Sequence, residues 1–331
     1  MKTDKRKEKS ILSEKRRPLS FSVIFIFLFM AMISRTPLLS SSQEQKKEGL
    51  KYQISVSAIS IAVTVQNNGG KYINDLTEKD FTVYENNRKQ NITYFKHDFE
   101  APLSLTVLLD VSGSMALQDK LQEIKAALNY LLTNLLRPED EVSLLIFADG
   151  EVEVAAKFST DKNDFLSVLE KTEAYGKTAL NDAVAVSPEF ANKGKKEKRA
   201  LLLITDGIEN DSQSSPDQAV EIARRVDVPI YTIGYKVPLS EQYLSKYKRN
   251  PALTSFGIMA SLERFSQATG GKAFFITQPY ELYAAFGEIK KELSHQYIIG
   301  YTSYKNPKDE YRKIRVVTSK KKYKVRTREG Y

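Results

Sequence analysis

The chain has 331 residues, of which 41% are hydrophobic and 27% charged, a composition typical of a soluble globular protein with one large core or two modest ones. It contains no cysteine, which excludes disulfides, thiol nucleophiles and thiolate metal sites. The net charge of +9 would suit a nucleic-acid-binding protein, but residues 1–42 contain nine Lys or Arg and only three Asp or Glu, so the rest is nearly balanced and we expect no nucleic-acid partner.

The first 42 residues have the pattern of an export signal. Lys and Arg crowd residues 1–18, and an almost unbroken apolar run follows from Leu19 to Ile33. That run has the length of a signal-peptide core and is short for a membrane span of roughly 20 residues. We expect cleavage near Ser42; the alternative is an uncleaved signal anchor, the only contact with a membrane that we expect. In both cases the rest of the chain is periplasmic, cell-surface or secreted, and the lack of cysteine favours a bacterial envelope.

Residues 43–100 have the pattern of an antiparallel β segment. Apolar residues alternate from Ile54 to Ala58 and then, on the opposite parity, from Ile59 to Val65. Because a slip of one residue turns every side chain to the other face, this change of phase predicts a β-bulge or two separate strands. The tight-turn sequence at residues 67–70 and the strand-like run at residues 81–84 continue the pattern.

Residues 101–296 alternate apolar strands with amphipathic helices. The runs at residues 105–109, 142–147 and 200–205 are almost entirely apolar, as expected of strands that are buried on both faces. Leucine and isoleucine recur at helical spacing between Leu121 and Leu135. The alternation predicts an α/β fold with a doubly wound, mainly parallel sheet covered by helices on both faces.

Residues 297–331 return to a β pattern and are strongly basic. Residues 305–331 contain eleven Lys or Arg and three Asp or Glu. Neither β end is long enough to bury a good core alone, so we expect residues 297–331 to pair with residues 43–100 in one small β-sandwich. The α/β domain is then inserted between the two. The basic residues are either a solvated face or a surface for an anionic envelope polymer.

Oxygen-bearing side chains follow two of the predicted buried strands. Asp110, Ser112 and Ser114 come directly after the first strand, Asp206 ends the strand at residues 200–205, and Thr178 lies in a loop that opens a helix. Ligands of such sheets bind beyond the carboxyl ends of the strands, so these side chains are expected at one edge. Carboxylate and hydroxyl donors without His or Cys favour Mg²⁺, with Mn²⁺ or Ca²⁺ as alternatives, over zinc.

Three segments, at residues 110–115, 176–183 and 203–207, together resemble the metal-ion-dependent adhesion site of von Willebrand factor type A domains. The resemblance covers roughly residues 101–296. Residues 70–81 and the closing Arg328-Glu329-Gly330-Tyr331 are also similar to bacterial exported proteins related to this family.

The resemblance implies a role for each candidate residue. In the family, two serines and a threonine contact the metal, and water often lies between the metal and one or both aspartates. These are the roles implied for Ser112, Ser114 and Thr178, and for Asp110 and Asp206. An Asp or Glu from a protein partner commonly completes the coordination in the family.

The sequence therefore predicts a divalent-metal-dependent protein-binding module, with adhesion or scaffolding as its role. A metal-independent scaffold that acts through the sandwich or the basic tail is the alternative, and a metal-dependent hydrolase is a weaker one. No His or Cys lies near the site to act as a general base, so no catalytic residue is predicted. Alanine at Asp110 or Asp206 is expected to remove metal-dependent binding and leave the fold intact. Glu209 and Asp211 are expected to be solvated loop acids that raise the local negative potential; the alternative is that they hold a second cation.

Overall fold

The computed structural model describes residues 55–237, 254–305 and 311–331. The predicted export signal at residues 1–42 lies outside these ranges. Within them, no helix is both long enough and apolar enough to cross a membrane.

The strands, in chain order, are β1 (Ser55–Gln66), β2 (Phe81–Glu85), β3 (Arg88–Gln90), β4 (Ile92–His97), β5 (Leu103–Asp110), β6 (Glu141–Ala148), β7 (Glu151–Ser159), β8 (Lys198–Thr205), β9 (Ile230–Tyr235), β10 (Ala273–Ile276), β11 (Tyr297–Lys305), β12 (Ile314–Thr318) and β13 (Lys324–Arg326). The α-helices are α1 (Lys120–Tyr130), α2 (Asn163–Lys171), α3 (Leu180–Ala191), α4 (Pro216–Ala223), α5 (Ser255–Thr269) and α6 (Pro279–Ser294).

The central sheet has six strands in the order β10-β9-β8-β5-β6-β7. Its strand pairs are parallel except for the edge strand β7, which runs antiparallel to β6. Every residue of β5 and β6 is buried, because helices cover both faces and leave no solvated side. The prediction of a doubly wound, mainly parallel α/β sheet is therefore confirmed.

Each face of this sheet has its own hydrophobic core. Alternate residues of β5, such as Val107 and Leu108, point to opposite faces and join different clusters, as the twofold period of a strand requires. One cluster includes Phe286 of α6 and buried residues of α1 and α2. The other includes Phe265 of α5 and buried residues of α3 and α4. The helices thus hold the strands, and with them the carboxyl edge of the sheet, in a fixed frame.

The remaining strands form two smaller sheets, β13-β1-β11-β4 and β12-β2-β3. Strand β1 pairs antiparallel with β11, from Ser55 opposite Lys305 to Val63 opposite Tyr297. Strand β2 likewise pairs with β12. The N-terminal β segment and the C-terminal one therefore contribute to the same sheets, and buried residues of both meet in a third hydrophobic cluster.

The bulge or break predicted within residues 54–65 is wrong. Strand β1 is continuous, and its register against β11 is unbroken. Ile61, Val63 and Val65 are buried on one face, whereas Ala58 is exposed on the other. Among the described residues, the apparent change of phase rests on Ala58, a small apolar residue on the solvated face, where it causes no change of register.

Polar groups are also buried between the two smaller sheets. The carboxylate of Glu85 on β2 accepts hydrogen bonds from the hydroxyls of Tyr301 and Tyr331 at 3.0 and 2.8 Å and pairs with Arg312. Burial by itself would raise the pKa of Glu85, but these hydrogen bonds and that from Ser303 outweigh it and lower the pKa. A satisfied buried network of this kind fixes the register of the strands that contribute to it.

Candidate metal centre

The ends of β5 and β8 bring two aspartates to one edge of the central sheet. The strands are parallel neighbours, with Leu109 opposite Ile204, so Asp110 at the end of β5 and Asp206 just after β8 leave the sheet side by side. Both aspartates are completely buried. The hydroxyl of Thr205 donates a hydrogen bond to Asp110 Oδ2 at 2.6 Å, which ties the two strand ends together.

The two serines follow Asp110 in a tight turn. The backbone N–H of Ser112 donates to Asp110 Oδ1 at 2.9 Å. This is an Asx-turn, in which the aspartate side chain accepts a hydrogen bond from the backbone two residues later. The Oγ atoms of Ser112 and Ser114 lie 3.2 Å apart. Ser112 is 1% exposed and Ser114 is half-buried, so this pair of hydroxyls lies between the buried carboxylates and the surface.

Backbone hydrogen bonds attach the loop that contains Thr178 to this turn. Gly113 N–H donates to the carbonyl of Gly176 at 3.0 Å, and Tyr175 N–H donates to the carbonyl of Val111 at 2.7 Å. Gly176 has φ +69°, and a Cβ there would overlap the carboxyl group of Asp149. Glycine is therefore favoured both by the left-handed backbone and by the close approach of that side chain.

Thr178 itself is held by the loop that follows Asp206. Its N–H donates to Asn210 Oδ1 at 2.9 Å, and its carbonyl accepts from the N–H groups of Asn210 and Asp211 at 3.1 and 3.0 Å. Thr178 is 1% exposed. The three predicted segments thus form one hydrogen-bonded unit, with Asp110, Ser112 and Ser114 on the first, Thr178 on the second and Asp206 on the third.

Glu209, expected to be a solvated loop acid, is half-buried and hydrogen-bonded. Its carboxylate accepts hydrogen bonds from the backbone of Asn181, Asp211 and Ser212 and from the Ser212 hydroxyl. It therefore links the loop after β8 to the start of α3. Asp211 pairs with the exposed ammonium of Lys177 at 2.8 Å, a contact that contributes little.

Lys120 is a member of the cluster that the sequence analysis missed. Its Nζ lies 2.8 Å from Asp206 Oδ2, and its side chain is 5% exposed. Lys120 is the first residue of α1 and follows two residues with positive φ, Gln118 at 56° and Asp119 at 57°. A cation at the N-terminus of a helix opposes the helix dipole. That unfavourable placement is the one local signal that could have identified Lys120.

The electrostatics of the cluster favour a further cation. Burial, followed by the charge of Asp206, raises the pKa of Asp110 to about 7, although hydrogen bonds from Thr205 and Ser112 act in the opposite direction. Two buried carboxylates and one ammonium leave one negative charge without a counter-charge. Such a charge is costly in a buried place, and a bound cation would compensate it.

The donor chemistry fits a hard divalent cation. The candidate residues offer only carboxylate and hydroxyl oxygens, the ligand type that Mg²⁺, Mn²⁺ and Ca²⁺ prefer. No group of three or more His, Cys, Asp or Glu suited to a metal occurs in the described part of the chain. A cation at this edge would therefore depend on the serine and threonine hydroxyls as well as on Asp110 and Asp206.

Comparison with known families agrees with this arrangement. Residues 105–209 match the family model of the von Willebrand factor type A domain. The matched range includes every candidate residue from Asp110 to Asp206. This part of the chain is therefore similar to a von Willebrand factor type A domain, and the six-stranded sheet with its helices has the fold of that domain.

Sequence relatives occur in several bacteria. An uncharacterized protein of Borreliella burgdorferi is 21% identical over 206 residues, which are 58% of this chain and 59% of the relative. The uncharacterized protein sll0103 of Synechocystis is 28% identical over 145 residues, 42% of this chain and 33% of the relative. The chain thus spans less than two thirds of either relative.

Among solved structures, the conserved hypothetical protein BatB from Bacteroides thetaiotaomicron is similar with 19% identity and a TM-score of 0.44. The similarity covers 57% of this chain and 98% of that one.

Proposed function

We propose that this chain binds one divalent cation, Mg²⁺ by preference, through Asp110, Ser112, Ser114, Thr178 and Asp206, and that it thereby holds an acidic side chain of a protein partner. The observation that carries this proposal is the pair of completely buried carboxylates at one sheet edge, with two hydroxyls 3.2 Å apart next to them. When bound, the cation would supply positive charge and coordination positions for an outside carboxylate.

The chain's own contacts prepare this site for a ligand. Thr205 and the Ser112 N–H each hold one oxygen of Asp110, which fixes the direction of its carboxylate. The loop with Gly176 is tied to Gly113. Because these groups are already ordered by backbone and side-chain hydrogen bonds, binding would cost little conformational entropy. This rigidity supports a recognition site on the α/β domain.

Hydrolysis is a weaker alternative because the histidines lie elsewhere. The chain has two histidines. His97 stacks on Tyr297 with ring centroids 4.0 Å apart, and burial, followed by the charge of Lys198, lowers its pKa. His295 lies against Tyr72 with centroids 5.0 Å apart. Both histidines are packing partners of aromatic rings, and neither offers a general base to the candidate site.

The basic C-terminal segment carries the second candidate function, a metal-independent envelope scaffold. Lys320, Lys321 and Lys322 are exposed, as a surface for an anionic polymer requires. However, the guanidinium groups of Arg312 and Arg326 pair with the buried carboxylates of Glu85 and Glu292. These two positive charges of the segment therefore stabilise the fold and are not offered to a partner.

We also propose that the chain acts outside the cytoplasm, in the periplasm, at the cell surface or after secretion. The basic and apolar pattern of residues 1–42 supports this. The proposed partner would then be a protein of the envelope or of its surroundings.

A pull-down from a native bacterial envelope tests the proposal. Purified protein is used as bait with Mg²⁺ or with EDTA, beside two serine-to-alanine variants. Ser112→Ala removes a proposed ligand, whereas Ser143→Ala removes a buried hydroxyl that bonds Thr106 at 2.9 Å in the middle of the sheet. We expect a partner that is lost with EDTA and with Ser112→Ala and kept with Ser143→Ala.

A third variant tests the scaffold alternative without disturbing the fold. Because strands β12 and β13 are part of the smaller sheets, deleting the C-terminal segment would damage them, so the exposed lysines at 320–322 are replaced by glutamine. Loss of the partner in this variant, together with retention in Ser112→Ala and in EDTA, would favour the scaffold and contradict metal-dependent binding.

A further inference from the structure

Lys120 places a buried positive charge against a residue of the proposed metal site. Its ammonium contacts Asp206 Oδ2 at 2.8 Å, and the side chains of the pair are 5% and 0% exposed. The position is unfavourable twice, because burial removes hydration from the ammonium and because the N-terminus of α1 carries positive partial charge. An apolar side chain of similar length would avoid both costs but would leave Asp206 without its counter-charge.

Other lysines near this edge are already paired with acids. Lys177 Nζ lies 2.8 Å from Asp211 Oδ1 and is 66% exposed, and Lys236 pairs with Glu123. Among these three lysines, Lys120 alone contacts a candidate ligand. Its charge is therefore the one that enters the charge balance of the site.

That charge balance determines what the loaded site attracts. Asp110 and Asp206 as carboxylates, together with Lys120, have a formal charge of −1, and a divalent cation brings the cluster to +1. With a neutral residue at position 120 the same loaded cluster would have no net charge. A single external carboxylate neutralises the loaded cluster that contains Lys120. The same carboxylate gives the loaded cluster with a neutral residue at position 120 a charge of −1. Because Asp110, Asp206 and Lys120 are buried, water screens these differences only in part.

We propose that Lys120 gives this site its preference for an anionic partner group. The same ammonium repels the divalent cation, so Lys120 weakens metal binding while it strengthens carboxylate binding to the loaded site. This inference rests on the proposed function, since it assumes a cation at the same residues. Lys120 is not one of the predicted metal ligands, but it would determine which chemical class of partner group the site binds.

The test measures two affinities that should change in opposite directions. Mn²⁺ binding is measured by calorimetry on the full chain, and acetate binding to the Mn²⁺-loaded protein is measured from the fall in water-proton relaxation as acetate displaces water. The variants are Lys120→Met and Lys120→Gln. The control is Lys125→Met, on the same helix, whose ammonium donates to the carbonyl of Glu170 at 2.9 Å.

Both neutral variants at position 120 should bind Mn²⁺ roughly tenfold more tightly and acetate roughly tenfold more weakly than the wild type, as expected for one charge in a partly screened site. Lys125→Met should change neither affinity by more than about twofold, since this charge lies at the surface. Changes of opposite sign in the Mn²⁺ and acetate affinities distinguish a charge effect from damage to the site, because a distorted site would lose affinity for both probes.

Several results would overturn the inference. In folded Lys120 variants these are unchanged or weaker Mn²⁺ binding and unchanged acetate binding. Variants that fail to fold even with Mn²⁺, as judged by circular dichroism, would also contradict it. So would wild-type protein that binds Mn²⁺ but no acetate. Wild-type protein that binds no Mn²⁺ at all would instead contradict the proposed function itself.

Discussion

Replacing Asp206 by alanine should destabilise the metal-free protein strongly. The substitution leaves the ammonium of Lys120, which is 5% exposed, in a buried place without its carboxylate. Breaking a buried ion pair by removing one partner typically costs about 3–5 kcal/mol. The N–H of Ile208, which donates to Asp206 Oδ1 at 3.1 Å, also loses its acceptor, which adds about 1 kcal/mol. We expect a total loss of about 4–6 kcal/mol.

Urea unfolding followed by circular dichroism in EDTA measures this loss. The double variant Asp206→Ala/Lys120→Met also removes the ammonium and should regain about 3 kcal/mol of it, because no buried lysine then remains without its carboxylate. Asp110→Asn is the comparison at the other aspartate. It keeps an oxygen for the hydrogen bond from Thr205, takes the acceptor from the Ser112 N–H, and removes a carboxylate whose pKa is raised by burial. It should therefore change the unfolding free energy by less than about 2 kcal/mol.

This result would revise the expectation from sequence that alanine at either aspartate leaves the fold intact. A loss of under about 1 kcal/mol in Asp206→Ala would refute the reasoning, because a buried ammonium cannot lose its counter-charge so cheaply. A double variant no more stable than the single one would refute it too, since the loss would then come from somewhere other than Lys120.

Two further predictions concern the glycine of the Thr178 loop and a buried lysine. Gly176→Ala should lower the unfolding free energy, measured with urea, by about 1–3 kcal/mol more than Gly70→Ala does. Both glycines have positive φ, but only a Cβ at position 176 meets another group, the carboxyl of Asp149. Lys198→Met should remove a rise in stability between pH 8 and pH 10.5 of at most about 3 kcal/mol, measured by unfolding at a series of pH values.

The sign of the lysine effect follows from its pKa. Burial lowers the pKa of Lys198 from 10.5 to about 8, so between these values the unfolded chain binds a proton that the folded chain has released. Stability therefore rises with pH in that interval. A wild-type profile that is flat or falling there would contradict this account of Lys198. Equal losses in the two glycine variants would contradict the account of Gly176.

The fold of the α/β domain and the positions of its polar edge could be predicted because both depend on local patterns. Apolar runs mark the buried strands, and Asp110 and Asp206 follow two of them directly in the sequence. In a parallel sheet, the carboxyl ends of neighbouring strands share an edge. The order of the segments was therefore enough to bring the two aspartates together.

The features that were missed depend on contacts between distant parts of the chain. Lys120 and Asp206 are 86 residues apart, and no periodicity links them. Glu209 has the local character of a charged loop residue, and its hydrogen bond from the N–H of Asn181, which links it to the start of α3, spans 28 residues of the chain. The bulge predicted near Ala58 was wrong for a different reason. An alternation of apolar residues was taken as the sign of a buried face, whereas Ala58 lies on a solvated one.

Calorimetric titration of Mg²⁺ and Mn²⁺ into the full chain tests the central claim most directly. We expect one binding site per chain in the wild type and in Ser143→Ala, and no measurable site in Ser112→Ala, since only Ser112 belongs to the cluster of Asp110 and Ser114. Wild-type protein that binds neither metal, or a folded Ser112→Ala that binds as tightly as wild type, would contradict the assignment of a divalent-cation site to this edge of the sheet.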